Sequence, residues 1–348
     1  MNLSDFDFHL PETSIAQYPA FPRDHARLMV IDKTKKTISH KHFYDLPSLL
    51  PKDTFLVRNN SKVIRSRIRG NFPSGSSWEL FFIKEISPKE GHFLVKPGKK
   101  FKAKTSVTLE INGKKQELFV SEELPDGSRK ISFENLESNL KDYIQLNGEM
   151  PLPPYISARD GKEEEHYQTV YAKPEGSLAA PTAGLHFTEQ TFKELETKHI
   201  PIFDITLHVG LGTFLPVKVD KVDEHVMHEE NYEIDTATWN EIETLKSEGK
   251  KLCAIGTTST RVLEHVWTHT HPTFDQKALS GATSIFIYPP YTFKAVDILL
   301  TNFHLPKSTL IMLVSAFIGD REFTLHAYEE AIKNNYQFYS YGDAMLIL

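Results

Sequence analysis

Residues 252–261 read Leu-Cys-Ala-Ile-Gly-Thr-Thr-Ser-Thr-Arg, an apolar run that passes directly into glycine and hydroxyl side chains. A short apolar run bounded by such a turn signal is typical of a buried strand, and the segment after it has the pattern of a helix. Strand-like and helix-like segments alternate in this way on both sides of residues 59–149. This alternation predicts an α/β fold with a parallel, barrel-like main domain.

Residues 59–149 have a different pattern, with short strand-like segments separated by turn signals. Asn112-Gly113 lies between two such segments and predicts a hairpin, because both central residues of a type I′ turn need positive φ. About five strands at this spacing predict a small antiparallel β-barrel. We therefore predict a discontinuous α/β domain, residues 1–58 and 150–348, with a β-barrel domain of residues 59–149 inserted in it.

The composition restricts the class of protein. Cys253 is the single cysteine of 348 residues, which excludes an internal disulfide framework and a cysteine-rich zinc site. No basic, apolar leader opens the sequence, and the most apolar run, residues 310–319, is about half the ~20 residues that a membrane helix needs. We expect a cytoplasmic protein without a membrane partner. Without an exposed heptad pattern, we also expect a monomer.

The charge is unevenly distributed along the chain. The formal net charge of −6 divides into +4 for residues 59–149 and −10 for the remainder. Five lysines of the insert fall within nine residues, at Lys96, Lys99, Lys100, Lys102 and Lys104. A solvated hairpin is the usual meaning of such a run, but a basic module that binds phosphates would have the same composition.

Four polar clusters each follow a predicted strand. In parallel α/β folds, ligands bind outside the carboxyl ends of the strands, where helix N-termini offer free N–H groups. Four clusters at equivalent ends therefore predict one pocket. The clusters are Asn59-Asn60-Ser61, His208-Val-Gly210-Leu-Gly212-Thr213, Gly256-Thr257-Thr258-Ser-Thr-Arg261 and Thr301-Asn302-Phe-His304.

Two of the candidate segments have a simpler structural explanation. The hydroxyls of residues 257–260 suit a ligand carboxylate or ribose, but Thr258 or Ser259 would also serve as an ordinary N-cap. Arg261 could pair with a ligand carboxylate or with a nearby acid. The small residues around Thr182 permit close approach to a ligand or merely a tight turn.

Histidine is abundant, with 16 residues in the chain. The spacing of His225 and His228, together with Glu229, suggests a metal site, but it lacks the pattern of the zinc-protease signature. We predict no metal, and imidazoles that act in hydrogen bonding or acid–base chemistry. A structural role remains the alternative for each histidine. The other candidates are His186, His208 and His304.

Several longer strings occur together: Glu149-Met-Pro-Leu-Pro-Pro-Tyr155, Tyr167-Gln-Thr-Val-Tyr-Ala172, Ala180-Pro-Thr-Ala-Gly-Leu-His-Phe-Thr188, Leu207-His-Val-Gly-Leu-Gly-Thr-Phe214, Leu300-Thr-Asn-Phe-His-Leu-Pro-Lys-Ser-Thr309 and Tyr341-Gly-Asp-Ala-Met-Leu346. With them the whole chain resembles the S-adenosylmethionine:tRNA ribosyltransferase-isomerases of the queuosine pathway. The match is weakest in the insert. Local departures from the family pattern occur at Arg58, Ala282 and Pro290.

The resemblance implies an unusual reaction. S-adenosylmethionine donates its ribosyl group to 7-aminomethyl-7-deazaguanine at the tRNA wobble position. The ribosyl unit is isomerised to give epoxyqueuosine in tRNA, and adenine and methionine are released. The implied partners are tRNA and S-adenosylmethionine as co-substrate, with no further cofactor and no metal.

This chemistry requires a base for a 5′-methylene proton next to the sulfonium, a donor to the leaving adenine and a neutral incoming amine. We predict that one of His186, His208 and His304 is the general base. Asn59, Asn60 and Asn302 would bind ribose hydroxyls or the deazaguanine edge, and Thr257, Thr258 and Arg261 the methionine end. Further substrate-binding candidates are Thr182, Gly210, Thr213, His225, His228 and Glu229, and candidates for tRNA binding are Lys99, Lys100, Lys102, Lys104 and Lys307.

Two alternatives remain at this stage. The first is another S-adenosylmethionine-dependent tRNA-modifying enzyme, such as a methyltransferase, although no Gly-x-Gly-x-x-Gly turn follows the first strand. The second is a non-catalytic tRNA-binding protein. The reaction products distinguish all three.

Overall fold

The computed structural model describes residues 1–210, 212, 217–269 and 278–348. The chain forms two compact units. Unit 1 consists of Met1–Lys62 and Pro153–Leu348, and unit 2 of Val63–Leu152. Unit 2 is thus an insertion in the sequence of unit 1. It begins at residue 63 and ends at residue 152, whereas the predicted insert has the bounds 59 and 149.

The strands of the described residues, in chain order, are β1 Arg27–Asp32, β2 Thr37–His42, β3 Thr54–Asn59, β4 Lys62–Val63, β5 Arg67–Asn71, β6 Ser77–Ser87, β7 Glu90–Lys96, β8 Thr105–Ile111, β9 Lys114–Glu123, β10 Arg129–Phe133, β11 Glu175–Ser177, β12 Ile202–Leu207, β13 Glu230–Asp235, β14 Lys251–Ile255, β15 Ala278–Thr283, β16 Ile298–Asn302 and β17 Ala344–Ile347. The α-helices are α1 Leu46–Leu49, α2 Leu140–Asn147, α3 Glu163–His166, α4 Glu189–Thr197, α5 Thr236–Ser247, α6 Gly256–His269, α7 Thr309–Ile318 and α8 Arg321–Lys333. None of these helices is long and apolar enough to cross a membrane.

Unit 1 contains a nine-stranded mixed sheet in the order β15-β13-β12-β3-β14-β16-β17-β1-β2. The four neighbouring strands β12, β3, β14 and β16 are mutually parallel. The pairs β12–β13, β13–β15, β16–β17 and β1–β2 are antiparallel, whereas β1 and β17 are parallel. Among the described strands, β15 and β2 are the edges of this sheet. The α/β class and the parallel centre are therefore present, but a parallel barrel-like main domain is not confirmed.

The central strands are buried on both faces, as the near-continuous apolar runs predict. In β3, Phe55 and Val57 belong to one apolar core and Leu56 to the other. Cys253 of β14 is fully buried, and burial raises the pKa of its thiol. The strands are thus held rigidly, and their carboxyl ends have fixed positions.

Unit 2 is built around a six-stranded antiparallel sheet in the order β5-β6-β7-β10-β9-β8. Its edge strands β5 and β8 approach each other, so that the sheet is a nearly closed barrel. Asn112 and Gly113 have φ values of 50° and 75°, which confirms the predicted β8–β9 hairpin turn. The strand β5 and the helix α2 have no counterpart in the sequence prediction. The strand β5 was missed because it has arginine at two of its five positions and no turn signal precedes it.

One departure from the family pattern has a structural explanation. Arg58 on β3 pairs with Asp204 on the adjacent β12, with 2.6 Å between Nε and Oδ1. Its guanidinium also lies 4.0 Å from the centroid of the Tyr171 ring. The charged side chain is therefore accommodated within unit 1 by an ion pair and an aromatic face.

Candidate active site

The polar clusters of unit 1 meet at one edge of the sheet, because β12, β3, β14 and β16 are adjacent and parallel. A cavity of about 160 Å³ opens at this edge. Its wall includes residues that follow β12, β14 and β16, together with residues 154, 155, 167, 179, 180, 182, 183, 339 and 340. The lining includes Tyr155, Tyr167, Thr182, Val209, Gly256, Thr257, Thr258, Thr301, Asn302, His304, Ser308, Tyr339 and Ser340.

The first turn of α6 forms part of this wall. Gly256 has a φ of 87°, which allows the chain to turn directly from β14 into the helix. Ser259 donates its hydroxyl to the carbonyl of Ile255, and Thr258 Oγ1 is buried without a hydrogen-bond partner among the described residues. Thr258 therefore does not act as an N-cap here, and its hydroxyl is available to a ligand.

His304 lies on the cavity wall at the end of β16. Its Nε2 is 2.9 Å from Thr301 Oγ1, and no described residue is hydrogen-bonded to its Nδ1. The side chain is 7% exposed, and burial lowers the pKa of His304 to about 3. The imidazole is therefore neutral at pH 7 and has one nitrogen available for a substrate.

His186 does not line the cavity, but it is hydrogen-bonded to a residue that does. Its Nε2 is 3.2 Å from Nδ2 of the cavity residue Asn302, and burial, with a contribution from Arg23, lowers the pKa of His186 to about 3. Asn302 also donates to the carbonyl of Tyr339 at 3.1 Å, while its Oδ1 has no hydrogen-bond partner among the described residues. Asn302 is thus held by its amide nitrogen and keeps a free acceptor.

His208, the third predicted base, is not among the described residues that line this cavity. Its imidazole packs on Gly176, where an added Cβ would lie 2.9 Å from Nδ1. The half-buried ring therefore occupies a close contact between β11 and the end of β12. Of the three predicted bases, the structure brings only His304 to the cavity wall.

Arg261 forms a buried ion pair with Glu230 of β13. Glu230 Oε1 also accepts from the N–H of Gly210, at 2.9 Å, and Arg261 Nε donates to the carbonyl of Ile285. The side chains of both ion-pair partners are at most 5% exposed. Pairing with a protein acid was the alternative to a ligand carboxylate, and this contact occupies one arm of the guanidinium. Arg261 Nη2 has no partner among the described residues.

The sequence singled out Glu229 rather than Glu230. Glu229 and His228 are exposed, and His225 is half-buried with its ring 5.3 Å from that of Phe286. His228 packs closely on Gly212. Thr213 lies outside the described residues. No group of three or more metal-binding side chains occurs within the described part of the chain.

Asn59 and Asn60 use their side chains within the fold. Asn59 is fully buried, donates to the carbonyl of Leu207 and accepts from its N–H, both at 3.0 Å. The Asn60 Oδ1 accepts from Thr206 Oγ1 at 2.8 Å. Both amides therefore join β3 to β12 beside the cavity edge, and their role as ligands of ribose or the deazaguanine stays a prediction.

Tyrosines supply the part of the wall that sequence reasoning missed. Tyr155 and Tyr339 are stacked with their ring centroids 4.3 Å apart, and Tyr155 Oη is 2.7 Å from Ser340 Oγ. Burial raises the pKa of Tyr155 to about 12, so that it stays protonated. Tyr339 has a φ of 73°. This conformation is strained for a bulky residue, and strained conformations occur frequently at functional sites. Tyr155 ends one of the strings that carry the family resemblance and Tyr339 lies two residues before another, but neither was predicted to line the cavity.

The predicted tRNA-binding lysines lie in two places. Lys96, Lys99, Lys100, Lys102 and Lys104 of unit 2 are all exposed, and they surround a loop that the buried Phe101 anchors. We refer to residues 96–104 as the basic loop. No ion pair among the described residues involves these lysines, whereas Lys307 of unit 1 pairs with Asp7, with 2.6 Å between Nζ and Oδ2.

Comparisons with known proteins agree along the whole chain. Residues 3–347 match the family model described as queuosine biosynthesis protein. The S-adenosylmethionine:tRNA ribosyltransferase-isomerases of Thermosipho melanesiensis and Desulfitobacterium hafniense are each 46% identical to it, over the full length of both chains. A crystal structure of S-adenosylmethionine tRNA ribosyltransferase from Thermotoga maritima is 34% identical, with a TM-score of 0.57, and covers 99% of this chain and 100% of that one. The chain therefore belongs to the queuosine biosynthesis protein family.

Proposed function

We propose that this protein is an S-adenosylmethionine:tRNA ribosyltransferase-isomerase that acts on 7-aminomethyl-7-deazaguanine at the tRNA wobble position. The observation that carries the proposal is the full-length identity of 43–46% to enzymes of that name. The products are epoxyqueuosine in tRNA, adenine and methionine. The enzyme needs no metal and no cofactor beyond S-adenosylmethionine, and it acts as a monomer.

The cavity has the groups that this donor requires. The stacked rings of Tyr155 and Tyr339 offer an aromatic wall for a planar purine or for a sulfonium cation. Asn302 Oδ1 and Thr258 Oγ1, buried and without partners among the described residues, suit the hydroxyls and amines of the nucleoside. Thr257 in the first turn of α6, at the positive end of the helix dipole, suits the methionine carboxylate.

His304 is the general base of the proposed mechanism. Its neutral Nδ1 accepts a proton from the 5′-methylene, which the adjacent sulfonium acidifies. The positive charge moves from the sulfonium, which becomes a neutral ylide, to the imidazole, which becomes imidazolium. The net charge of the buried cavity is therefore unchanged, so that the low pKa of His304 in the free protein does not set the cost of this step.

The same imidazolium then serves as an acid. The electron pair of the ylide forms a C4′–C5′ double bond as the C4′–O4′ bond breaks, and the O4′ pair forms a C1′ carbonyl as the C1′–N bond to adenine breaks. The proton on His304 neutralises the nitrogen of the leaving base. His186 holds Asn302 through its Nε2 and acts as a positioning residue. The incoming aminomethyl group must be neutral to attack, which the low polarity of this cavity favours.

Unit 2 contributes to binding rather than to chemistry in this proposal. The basic loop presents five exposed lysines without ion-pair partners among the described residues. Such lysines bind the phosphates of a nucleic acid, and the counterions that this binding releases favour the complex. Lys307 of unit 1 is a weaker candidate for a phosphate contact, because Asp7 already neutralises it.

The products of one incubation test the proposal. The protein is mixed with S-adenosylmethionine and tRNA that carries 7-aminomethyl-7-deazaguanine, and the small molecules are separated by chromatography. We expect adenine and methionine in equal amounts, and none with tRNA that carries unmodified guanine. S-adenosylhomocysteine would identify a methyltransferase instead, and intact S-adenosylmethionine with bound tRNA would identify a binding protein.

A further inference from the structure

Residues 17–23 of unit 1 form a projecting segment with two exposed aromatic side chains. Phe21 is 95% exposed and Tyr18 is 51% exposed. Phe21 is the most exposed of the large apolar side chains in the described residues. A partner that covered this ring would gain roughly 1.5–3 kcal/mol from its burial.

The projecting segment is held at both ends by hydrogen bonds. Gln17 donates to the carbonyl of Tyr155 at 2.9 Å and accepts from the N–H of Ser157 at 2.9 Å. At the other end, Arg23 donates to the carbonyls of Gln168 and Leu185. Phe21 is therefore presented on an anchored support, and little conformational entropy is lost when a ligand covers its ring.

The segment also adjoins the cavity of the candidate active site. Tyr155, whose carbonyl binds Gln17, lies on the cavity wall. Pro19, Ala20 and Arg23 line a small pocket together with His186 and Ser340, and Ser340 belongs to both walls. The exposed ring is thus next in sequence to residues of a small pocket that shares Ser340 with the cavity.

The surroundings favour a base over a phosphate as the group that Phe21 contacts. The Arg23 guanidinium donates to backbone carbonyls, among them that of Glu165. Glu165 is the last of three consecutive glutamates, residues 163–165, in α3. Acidic side chains repel a phosphate, but they do not prevent stacking on an uncharged ring. Recognition of single-stranded RNA uses such stacking of splayed bases on aromatic side chains.

We propose that Phe21, flanked by Tyr18, is a stacking platform for a nucleobase of the tRNA substrate that neighbours the modified base. This inference rests on the proposed function. A base that enters the cavity leaves its neighbours in the loop without a stacking partner, and the Phe21 ring replaces that partner.

The test measures RNA binding without turnover. An anticodon stem–loop with a fluorescent adenine analogue next to the wobble position is titrated with the wild type and with Phe21→Ala, Phe21→Trp and Leu146→Ala. Leu146 of unit 2 is the matched control, since it is 79% exposed and apolar. We expect Phe21→Ala to weaken binding roughly 5- to 150-fold and to abolish the change in fluorescence on stacking. Phe21→Trp retains both, Leu146→Ala behaves as wild type, and the KM for S-adenosylmethionine is unchanged.

Other results would overturn the inference. Wild-type affinity in Phe21→Ala would remove the platform, and so would full rescue by Phe21→Leu, which keeps apolar area without an aromatic face. A change in oligomeric state of Phe21→Ala by sedimentation would assign the ring to a second copy of the chain. Adenine release by the wild type is assayed in parallel. If it occurs while Phe21→Ala binds normally, only the platform fails; if it does not occur, the proposed function fails.

Discussion

The cavity of unit 1 and the basic loop of unit 2 present polar groups in opposite ways. His304, Asn302 and Thr258 are largely buried on rigid strand ends and a helix N-terminus, and each has few possible partners. The lysines of the basic loop are exposed, close in sequence and equivalent to one another. Buried groups act in a low-dielectric medium, so that single changes have large effects, whereas exposed charges are screened and act in sum. The comparison therefore predicts that substitutions in the cavity have larger effects than substitutions in the basic loop, and that only the latter depend strongly on salt.

The largest effect is expected at His304. Substitution His304→Ala removes the proposed base and lowers kcat by roughly 10²–10⁴-fold. The dependence of kcat on salt concentration does not increase. His186→Ala and His208→Ala have smaller effects, because neither ring lies on the cavity wall. Release of adenine under saturating substrates measures kcat, with the exposed His326→Ala on α8 as the matched control. Near-normal turnover of His304→Ala would exclude it as the base.

The second effect concerns stability. Glu230→Gln leaves the Arg261 guanidinium buried without its counter-charge, and we expect a loss of about 3–5 kcal/mol in the free energy of unfolding. Glu229→Gln, one residue earlier and exposed, changes it by less than about 0.5 kcal/mol. Unfolding in urea compares the two variants. Equal stability of both would contradict the contribution assigned to the Glu230–Arg261 ion pair.

A third prediction follows from the low pKa of the buried histidines. His304 has a pKa of about 3 in the folded state, below its usual value near 6.5, so that only the unfolded chain binds this proton between these pH values. Its contribution to stability is fully present above pH 6.5 and is lost as the pH falls toward 3. At pH 5 the loss is about 2 kcal/mol relative to pH 7.5. Urea unfolding of the wild type and His304→Gln at both pH values isolates this term, and identical pH dependence would refute it.

The smallest effect is expected for the basic loop. Replacement of Lys99, Lys100, Lys102 and Lys104 by serine weakens tRNA binding about tenfold at physiological salt and reduces the salt slope by up to about 0.7 per lost contact. The kcat at saturating tRNA stays unchanged. Titrations at several salt concentrations measure the slope, with Lys114 and Lys115 of the same unit replaced as control. An unchanged slope would leave the basic loop as a solvated hairpin.

Strand ends were predictable from the sequence because local signals determine them. The run of residues 252–261 forms β14 and the start of α6, and Asn112-Gly113 forms the predicted turn. Strand direction was less predictable. Antiparallel β17 and β13 flank the parallel centre, and no local pattern of β/α alternation distinguishes this open sheet from a parallel barrel.

The site was predictable as a region but not residue by residue. Asn59 and Asn302 both follow buried strands, yet Asn59 uses both amide atoms to bind Leu207 whereas Asn302 keeps Oδ1 free of described partners. This difference depends on the neighbouring strand, which sequence alone does not identify. The positive φ of Tyr339 has no sequence signal either, because tertiary packing imposes it.

The strand order has a consequence for how the chain is made. β1 pairs with β17, so that Leu28 can meet its partner Ala344 only after nearly the whole chain has been synthesised. In the same way, β3 can pair only after β12 and β14 have been synthesised. The barrel strands β5 to β10 pair among themselves and are complete much earlier in synthesis. During translation, β1 and β3 therefore expose apolar residues of both faces for most of the elongation time. The apolar faces of the first sixty residues are thus covered only after most of the chain has been synthesised.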